Sequence, residues 1–235
     1  MVRRQAAAAS QETGERRVVP NFSLEKEFQA RYGSDVLVIG LDEAGRGPWA
    51  GPVVAGAAWL DPERCPAALR RGLDDSKRLR PARRNELLEM LEDCATRGIA
   101  ALGLGEAGVA EIDDANILQA SLRAMARAAA DLESRSGRVP QAALIDGNRL
   151  PELPCPAEAV IGGDGLSLSI AAASILAKVT RDRRMAVLAR AHPGYGWERN
   201  QGYGTAEHRE ALARLGVTPH HRRSFRPVRE ALDFR

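Results

Sequence analysis

Acidic residues stand at three points of the sequence where an apolar run or a glycine-rich turn ends. Asp42 and Glu43 follow one apolar run, Asp146 ends a second, and Asp164 lies in a glycine-rich turn. Carboxylates on strand ends of one sheet can converge, and their oxygens suit a hard cation such as Mg²⁺. Four converging carboxylates would repel one another unless cations neutralised them, so convergence implies metal. Taken singly, an ordinary acidic turn at Asp42 and a type I′ turn at Asp146 remain open.

A glycine–arginine–glycine sequence follows the acidic pair directly. Gly45 and Gly47 allow the backbone to approach a ligand closely, and Arg46 supplies a cation for a phosphate. Of 34 basic residues only three are lysines, and two of these, Lys77 and Lys178, lie inside motifs described below. An ammonium is not interchangeable with a guanidinium beside a phosphate or a carboxylate, so the point charge matters at these positions.

Apolar runs indicate the elements that must position these residues. Runs bounded by turn residues predict strands over 36–41, 52–60, 99–104, 142–145 and 159–161. Apolar positions at helical spacing predict helices from Pro81 to Gly98 and over 115–134, 166–191, 205–215 and 228–232. Strands first, then strand and helix in alternation, predict an α/β fold with a mixed sheet flanked by helices and a C-terminal helical cap.

Composition limits the class of protein and of partner. With 235 residues, 44% of them hydrophobic, the chain can bury a core, and no stretch is long enough to span a bilayer. A pI of about 9.0 and the basic runs 181–184 and 220–223 make a polyanion a plausible partner, although such runs are usually solvated faces.

Cysteine and histidine positions give no metal pattern. The cysteines are odd in number and widely spaced, which supports neither a disulfide framework nor a zinc site and indicates a reducing, cytoplasmic setting; they are Cys65, Cys94 and Cys155. We interpret His221 as part of the basic C-terminal segment and His192, His208 and His220 as structural residues.

Six segments, taken in order, resemble the motif set of ribonuclease HII. The resemblance covers the chain from about residue 36 to 229, and although each segment alone is weak, six in this order are specific. The segments are Asp42 to Gly47, Asp75 to Lys77, Ile145 to Asn148, Ile170 to Asp182, Gly202 to Thr205 and His221 to Val228.

The resemblance implies a ribonuclease H-like fold and a catalytic metal centre. Asp42, Glu43, Asp146 and Asp164 match the family's metal-binding carboxylates, which hold divalent cations, Mg²⁺ or Mn²⁺. Two metals on either side of the scissile phosphate would activate a water and stabilise the departing 3′ oxygen in an in-line displacement. The expected products carry a 3′-hydroxyl and a 5′-phosphate.

The resemblance also implies how substrate is recognised. The Gly45-Arg46-Gly47 sequence matches the element that senses the ribose 2′-hydroxyl, the one group that separates RNA from DNA at a given site. Tyr203 matches the tyrosine that packs against the sugar on the DNA side of an RNA-to-DNA junction; a core tyrosine near a helix start is the alternative. The expected substrates are RNA–DNA hybrids and duplex DNA containing a ribonucleotide.

Further substrate contacts are implied at four positions. Lys77 and Ser76 would contact a backbone phosphate. Lys178 and Arg181 would support the site or the substrate strand, with a solvated helix face as the alternative.

The resemblance divides the chain into three parts and has three departures. We expect a disordered leader over residues 1–20, a ribonuclease H-like catalytic domain over 21–190, and a C-terminal helical segment over 191–235 that packs on it and contacts substrate. Trp49 and Gly165 stand where the family more often has a smaller aliphatic residue and a serine, and the leader has no counterpart in the motifs.

Arg46, and the lack of room for an N-terminal domain, favour type HII over type HIII, and we expect a monomer.

Three other functions compete with this interpretation. Another nuclease of the same fold, a junction resolvase or a hybrid-only ribonuclease, has no need of Tyr203 or of the glycine–arginine–glycine element. A non-catalytic hybrid-binding protein has no use for four carboxylates. A small-molecule phosphatase or kinase would need a phosphate-cradling motif that the sequence lacks.

Overall fold

A computed structural model describes residues 19–233 of the chain. Residues 1–18 of the predicted leader lie outside the described residues. The strands are β1 (Val38–Ala44), β2 (Val53–Leu60), β3 (Ala100–Ala107), β4 (Ala142–Asp146) and β5 (Ala157–Val160). The helices are α1 (Ser23–Tyr32), α2 (Ala67–Gly72), α3 (Pro81–Thr96), α4 (Val109–Ala115), α5 (Ile117–Ser136), α6 (Leu168–Ala191), α7 (Trp197–Asn200), α8 (Ala206–Leu215) and α9 (Arg226–Asp233).

The five strands form one mixed sheet in the order β3-β2-β1-β4-β5. β2 is antiparallel to both β1 and β3, whereas β4 is parallel to β1 and β5 is parallel to β4. The predicted mixed α/β sheet with C-terminal helices is therefore confirmed. Because β1, β4 and β5 run in one direction, their carboxyl ends meet at the same edge of the sheet, which is where Asp42 and Asp146 lie.

Helices cover both faces of the sheet. One face packs on α3 and α6, and the other on α5, whose alanine-rich stripe faces the strands. A Cβ added to Gly40 would lie 2.2 Å from the Ile170 nitrogen, and one added to Gly56 would lie 2.4 Å from the Ala173 carbonyl oxygen. These glycines bring the α6 backbone into direct contact with β1 and β2, beside the acidic edge of the sheet.

The first turn of α6 is fixed by a helix that the sequence did not predict. On α1, the buried Glu25 accepts hydrogen bonds from Ser167 Oγ (2.7 Å) and from the Ser169 N–H (2.9 Å). A carboxylate is favourable at a helix N-terminus, where backbone N–H groups lack partners. α1 buries only Glu25 and Phe28, and α2, α4 and α7 have seven residues or fewer, so none of these four helices shows a periodic apolar pattern in the sequence.

The helix predicted over 115–134 begins two residues later because Asn116 separates α4 from α5. Asn116 has a φ of 71°, and its side chain accepts hydrogen bonds from the N–H groups of Leu118 and Gln119. This cap stops one helix and starts the next. Within residues 19–233, no helix is both long enough and apolar enough to cross a membrane.

Candidate active site

The register of the two central parallel strands places Asp42 beside Asp146. Gly40 of β1 is paired with Leu144 of β4, so the residues two positions further along each strand are neighbours on the same face. That face packs against α6. The type I′ turn left open at Asp146 would join two antiparallel strands, and it does not do so here, because β4 and β5 are parallel.

Asp164 joins this pair from the turn that precedes α6. The Gly163 N–H donates to Asp146 Oδ1 (2.7 Å), which fixes the turn against the end of β4. One carboxylate oxygen from each of Asp42, Asp146 and Asp164 lies within 4.8 Å of the others. Asp42 and Asp164 are 4% and 5% exposed, so two of the three carboxylates are almost entirely removed from solvent.

The electrostatics of the three aspartates fit a bound cation. Burial, and then repulsion from Glu43 and Asp146, raises the pKa of Asp42 well above its ordinary value. Burial, and then Asp146, raises the pKa of Asp164. Asp164 Oδ2 is buried and accepts no hydrogen bond within the described chain. Clustered carboxylate oxygens with an unsatisfied member are a site for a hard divalent cation, as the sequence predicted.

Glu43 lies in the same cleft but outside this group of three. It follows Asp42 on a strand, so its side chain leaves the opposite face of the sheet. It forms an ion pair with Arg46 (Oε1 to Nη1, 3.2 Å), and its side chain is 10% exposed. Burial raises the pKa of Glu43 although Arg46 opposes that shift. Its role as a fourth ligand stays a prediction.

The loop before α3 brings a lysine to the aspartates. Lys77 Nζ lies 3.6 Å from Asp164 Oδ2, and its side chain is 77% exposed, so it can reach a substrate phosphate as well. Ser76 is buried and accepts a hydrogen bond from Ser174 Oγ (2.8 Å). Arg84 fixes this loop, because its guanidinium donates hydrogen bonds to the carbonyls of Ser76 (3.0 Å) and Leu79 (2.7 Å).

The glycine–arginine–glycine loop enters the cleft from the end of β1. Gly45 has a φ of +101°, and a Cβ there would lie 2.0 Å from Arg181 Nε. The sequence assigned both glycines to ligand approach, but at Gly45 the space is filled by a buried arginine of the protein itself. A Cβ on Gly47 would instead point toward the Tyr203 ring, 3.4 Å from Cε1.

The predicted substrate residues line one cavity of about 570 Å³ together with Asp42, Glu43 and Asp146. Tyr203 is 46% exposed, so the alternative of a core tyrosine is wrong. Lys178 is partly exposed and pairs with Asp182 (2.7 Å). Arg181 is 1% exposed, so the alternative of a solvated helix face is wrong for it. Its guanidinium donates to the carbonyls of Ala50, Pro52 and Gln201.

The C-terminal basic run is not the exposed face that the sequence suggested. His221 and Arg222 are fully buried, and burial lowers the pKa of His221 to about 3, so His221 is neutral. Its Nε2 lies 3.1 Å from His208 Nε2, and His208 Nδ1 lies 3.0 Å from the Tyr203 carbonyl oxygen. The only sequence signal for these contacts was the motif from His221 to Val228, which composition alone presents as a charge cluster.

The fold and the site define a class before they define a family. A mixed sheet whose parallel strands end in clustered aspartates, with a basic cleft above them, is the arrangement of a metal-dependent phosphodiester hydrolase. The structure is similar to a crystal structure of ribonuclease H2 from Pyrococcus horikoshii, with a TM-score of 0.63 and 26% identity, over 84% of this chain and 97% of that one.

Sequence comparison then gives the family. The family model described as Ribonuclease HII matches residues 39–228. The chain is 56% identical to Ribonuclease HII of Paramagnetospirillum magneticum over 92% of this chain and 100% of that protein. It is 59% identical to Ribonuclease HII of Rhodospirillum rubrum over 91% of this chain and 92% of that protein. The chain therefore belongs to the ribonuclease HII family and is an endoribonuclease.

Proposed function

We propose that the protein hydrolyses the RNA strand of RNA–DNA hybrids and cuts on the 5′ side of single ribonucleotides embedded in duplex DNA. The products would carry a 3′-hydroxyl and a 5′-phosphate. The observation that carries the proposal is that Asp42, Asp146, the 45–47 loop and Tyr203 line a single cleft, with Asp164 clustered beside the two aspartates. Chemistry at a phosphate and recognition of the adjoining sugar would then take place in one complex.

Asp42, Asp146 and Asp164, with Glu43 as the proposed fourth ligand, would hold the divalent cations, Mg²⁺ or Mn²⁺. Bound there, such ions supply positive charge for an in-line displacement at phosphorus. Lys77 is placed to bind the substrate phosphate beside these ions, because its ammonium lies next to Asp164 and its side chain is exposed to solvent. It would hold a phosphate oxygen of the strand to be cut by a charge-assisted hydrogen bond.

The remaining contacts divide between the two sugars at the cut. The exposed edge of Gly45-Arg46-Gly47 would contact the ribose 2′-hydroxyl, and the Tyr203 ring would pack on the deoxyribose that follows. Arg46 and Lys178 have partly exposed cationic groups facing the cleft and would contact the backbone. Ser76 and Arg181 would act by supporting these contacts, because both are buried.

We also propose that the protein is a cytoplasmic monomer with a catalytic domain over 21–190 and a C-terminal segment over 191–235. The three free cysteines support a reducing compartment. Sedimentation equilibrium at micromolar protein should give the monomer mass of 25.4 kDa. A dimer mass would contradict the proposal, as would export of a fluorescent fusion from the cytoplasm.

The test is cleavage of three duplexes of one sequence: one with a single ribonucleotide, one with a fully RNA strand, and one of DNA only. With Mg²⁺ or Mn²⁺ the wild type should cut the first two, on the 5′ side of the ribonucleotide in the first. Asp146→Asn should abolish both cuts, because it removes a ligand charge while keeping the oxygen that accepts from Gly163. Asp114→Asn removes an exposed carboxylate outside the cleft and is the matched control.

Tyr203 is tested separately with Tyr203→Ala and Tyr203→Phe. If the ring packs on the sugar, the alanine variant should lose cleavage of the single ribonucleotide more than cleavage of the hybrid, and the phenylalanine variant should keep both. Equal losses on the two substrates would refute the junction role. Binding of both ribonucleotide-containing duplexes without any cut would refute the enzyme and favour a hybrid-binding protein.

A further inference from the structure

Two buried arginines, Arg181 and Arg222, donate hydrogen bonds to backbone carbonyls of the 45–52 loop. Arg222 donates from Nη2 to the Gly45 carbonyl (2.6 Å) and from Nη1 to the Arg46 carbonyl (2.9 Å). Its Nε donates to the Gly51 carbonyl (2.9 Å), and Nη2 also to that of Pro52 (3.2 Å). One guanidinium thus donates hydrogen bonds to four carbonyls of a loop that has no regular secondary structure of its own.

Because each peptide group is planar, the hydrogen bonds that fix the carbonyl directions in this loop also fix the directions of its N–H groups. In a planar trans peptide the N–H points opposite to the C=O. Because the carbonyls of Gly45 and Arg46 point inward to Arg222, the N–H groups of Arg46 and Gly47 point outward. Neither N–H has an acceptor in residues 19–233, and both residues are exposed.

We propose that Arg222 is a positioning residue that sets ribonucleotide recognition by fixing the direction of the peptide groups at 45–47. The proposal rests on the proposed function, because it assigns to those outward N–H groups the contact with the sugar 2′-oxygen. Arg222 itself does not touch substrate. Its part is to hold two backbone donors that would otherwise be free to rotate with their peptide planes.

The environment of Arg222 requires a guanidinium rather than any cation. Neither Arg222 nor Arg181 forms an ion pair with a carboxylate in the described part of the chain. Backbone carbonyls accept the hydrogen bonds of both buried guanidiniums, and the Phe225 ring centroid lies 5.2 Å from Arg222 Cζ. A planar fork with five donors can satisfy several carbonyls at fixed angles, whereas an ammonium cannot. Burial, and then Arg181, lowers the pKa of Arg222 to about 9, which leaves it charged at neutral pH.

The chain on either side of Arg222 is tied to the same loop. The Arg222 N–H donates to the Trp49 carbonyl (2.8 Å), and the Gly51 N–H donates to the His220 carbonyl (2.9 Å). Ala50 and His221 form an antiparallel bridge. The C-terminal segment therefore adds a short strand-like contact to the loop, and a change at residue 222 alone leaves these backbone bonds in place.

The test compares Arg222→Lys with Arg223→Lys, both made in the Asp146→Asn background so that substrate stays intact. Arg223 is the adjacent, exposed arginine, and its side chain has no carbonyl contact in the structure. The measured quantity is the Kd for an all-DNA duplex divided by the Kd for the same duplex with one ribonucleotide. Arg222→Lys should lower this ratio about tenfold, the size expected when one or two hydrogen bonds are misaligned. Arg223→Lys should leave the ratio unchanged.

Each outcome decides the question. A folded Arg222→Lys protein with an unchanged ratio overturns the positioning role, and so does an equal weakening on both duplexes, which indicates a merely structural arginine. If the reference protein itself does not distinguish the duplexes, the proposed ribonucleotide recognition fails, and the role of Arg222 fails with it. Cleavage of the hybrid by the wild type tells that failure apart from loss of the enzyme.

Amide hydrogen exchange on the wild-type fold decides the case in which Arg222→Lys does not fold. The Arg46 and Gly47 amides should exchange fast in the free protein, although the loop carbonyls are held. Adding the duplex with one ribonucleotide should slow them about tenfold or more, and the all-DNA duplex should not. Slow exchange of both amides in the free protein would place them inward and overturn the proposal.

Discussion

Replacing Asp42 with asparagine should stabilise the metal-free protein. Asp42 is almost fully buried, and it is repelled by Glu43, Asp146 and Asp164. The cation that attracts it, Lys77, has a side chain that is 77% exposed, so solvent weakens this attraction. Asparagine keeps the shape and the oxygen that accepts from the Glu43 N–H (2.7 Å). The substitution therefore removes a buried charge and its repulsions while changing little else.

The magnitude follows from the spacing of the three aspartates. Two unit charges at the 4.8 Å limit of the group repel by about 3 kcal/mol at an effective dielectric constant of about 20. The raised pKa of Asp42 allows proton uptake to relieve part of this repulsion, so we expect a net gain of about 2 kcal/mol near neutral pH. For a chain of this size that corresponds to a rise in Tm of about 4–8 °C.

The sign of the pH dependence is fixed by the same shift. Because the folded-state pKa of Asp42 is raised, its contribution to stability is fully present in acid and is lost as pH rises through the folded pKa. The difference in stability between Asp42→Asn and wild type should therefore be small in acid and grow toward neutral pH.

The assay is thermal unfolding in EDTA and again with Mn²⁺, from pH 4 to 8. Saturating Mn²⁺ should raise the Tm of the wild type, since a ligand that binds only the folded state stabilises it, and should raise that of Asp42→Asn much less. Asp114→Asn, which removes an exposed carboxylate, is the control and should match the wild type. A lower Tm for Asp42→Asn than for wild type in EDTA would refute the reasoning that uncompensated repulsion dominates this site.

Three other perturbations test the packing, the cleft and the histidine pair. Gly56→Ala should lower the free energy of unfolding by about 1–3 kcal/mol, because its Cβ would lie 2.4 Å from the Ala173 carbonyl oxygen. The control Gly108→Ala, whose Cβ would meet nothing within 4 Å, should change that free energy little. Urea unfolding measures both variants, and equal effects would contradict the contact at Gly56. Lys77→Met should lower kcat/KM for ribonucleotide cleavage about 10- to 100-fold without lowering Tm, and an unchanged rate would remove Lys77 from the phosphate contact. Because the pKa of folded His221 is depressed to about 3, its contribution to stability is present above about pH 6.5 and is lost as pH falls. The free energy of unfolding of the wild type should therefore fall relative to that of His221→Asn by up to about 1.4 kcal/mol per pH unit between pH 6 and 4.5. Parallel plots of unfolding free energy against pH for the two proteins would show that His221 does not take up a proton on unfolding.

The strands and long helices could be predicted because their patterns are local. The apolar runs that became β1, β2 and β4 are short and bounded by turns, and α6 follows a glycine-rich turn and carries a long row of small residues. α1, α2, α4 and α7 could not be predicted, because α2, α4 and α7 have seven residues or fewer and α1 buries only Glu25 and Phe28, so none of them shows an apolar period. Their contacts, such as Glu25 with the start of α6, come from packing between distant segments.

The sequence by itself determined which residues are chemically able to form the centre. Carboxylates at the ends of predicted strands and in a glycine-rich turn make Asp42, Asp146 and Asp164 candidates, with ordinary turns still open, and the resemblance of the six ordered segments assigns them as metal ligands. The adjacent carboxylates Asp42 and Glu43 at a strand end predict two metal ligands. The structure places Asp42 in the cluster of three aspartates, and the ligand role of Glu43 stays a prediction.

Only the tertiary structure decided which side of the sheet each residue serves. The register of β1 with β4 puts Asp42 and Asp146 together, and the strand alternation turns Glu43 away from them. The structure also separated Arg222 from the exposed Arg223 beside it, since burial depends on what packs around a residue and not on its type. A charge cluster in the sequence can be a solvated face or a set of buried supports, and only long-range contacts distinguish the two.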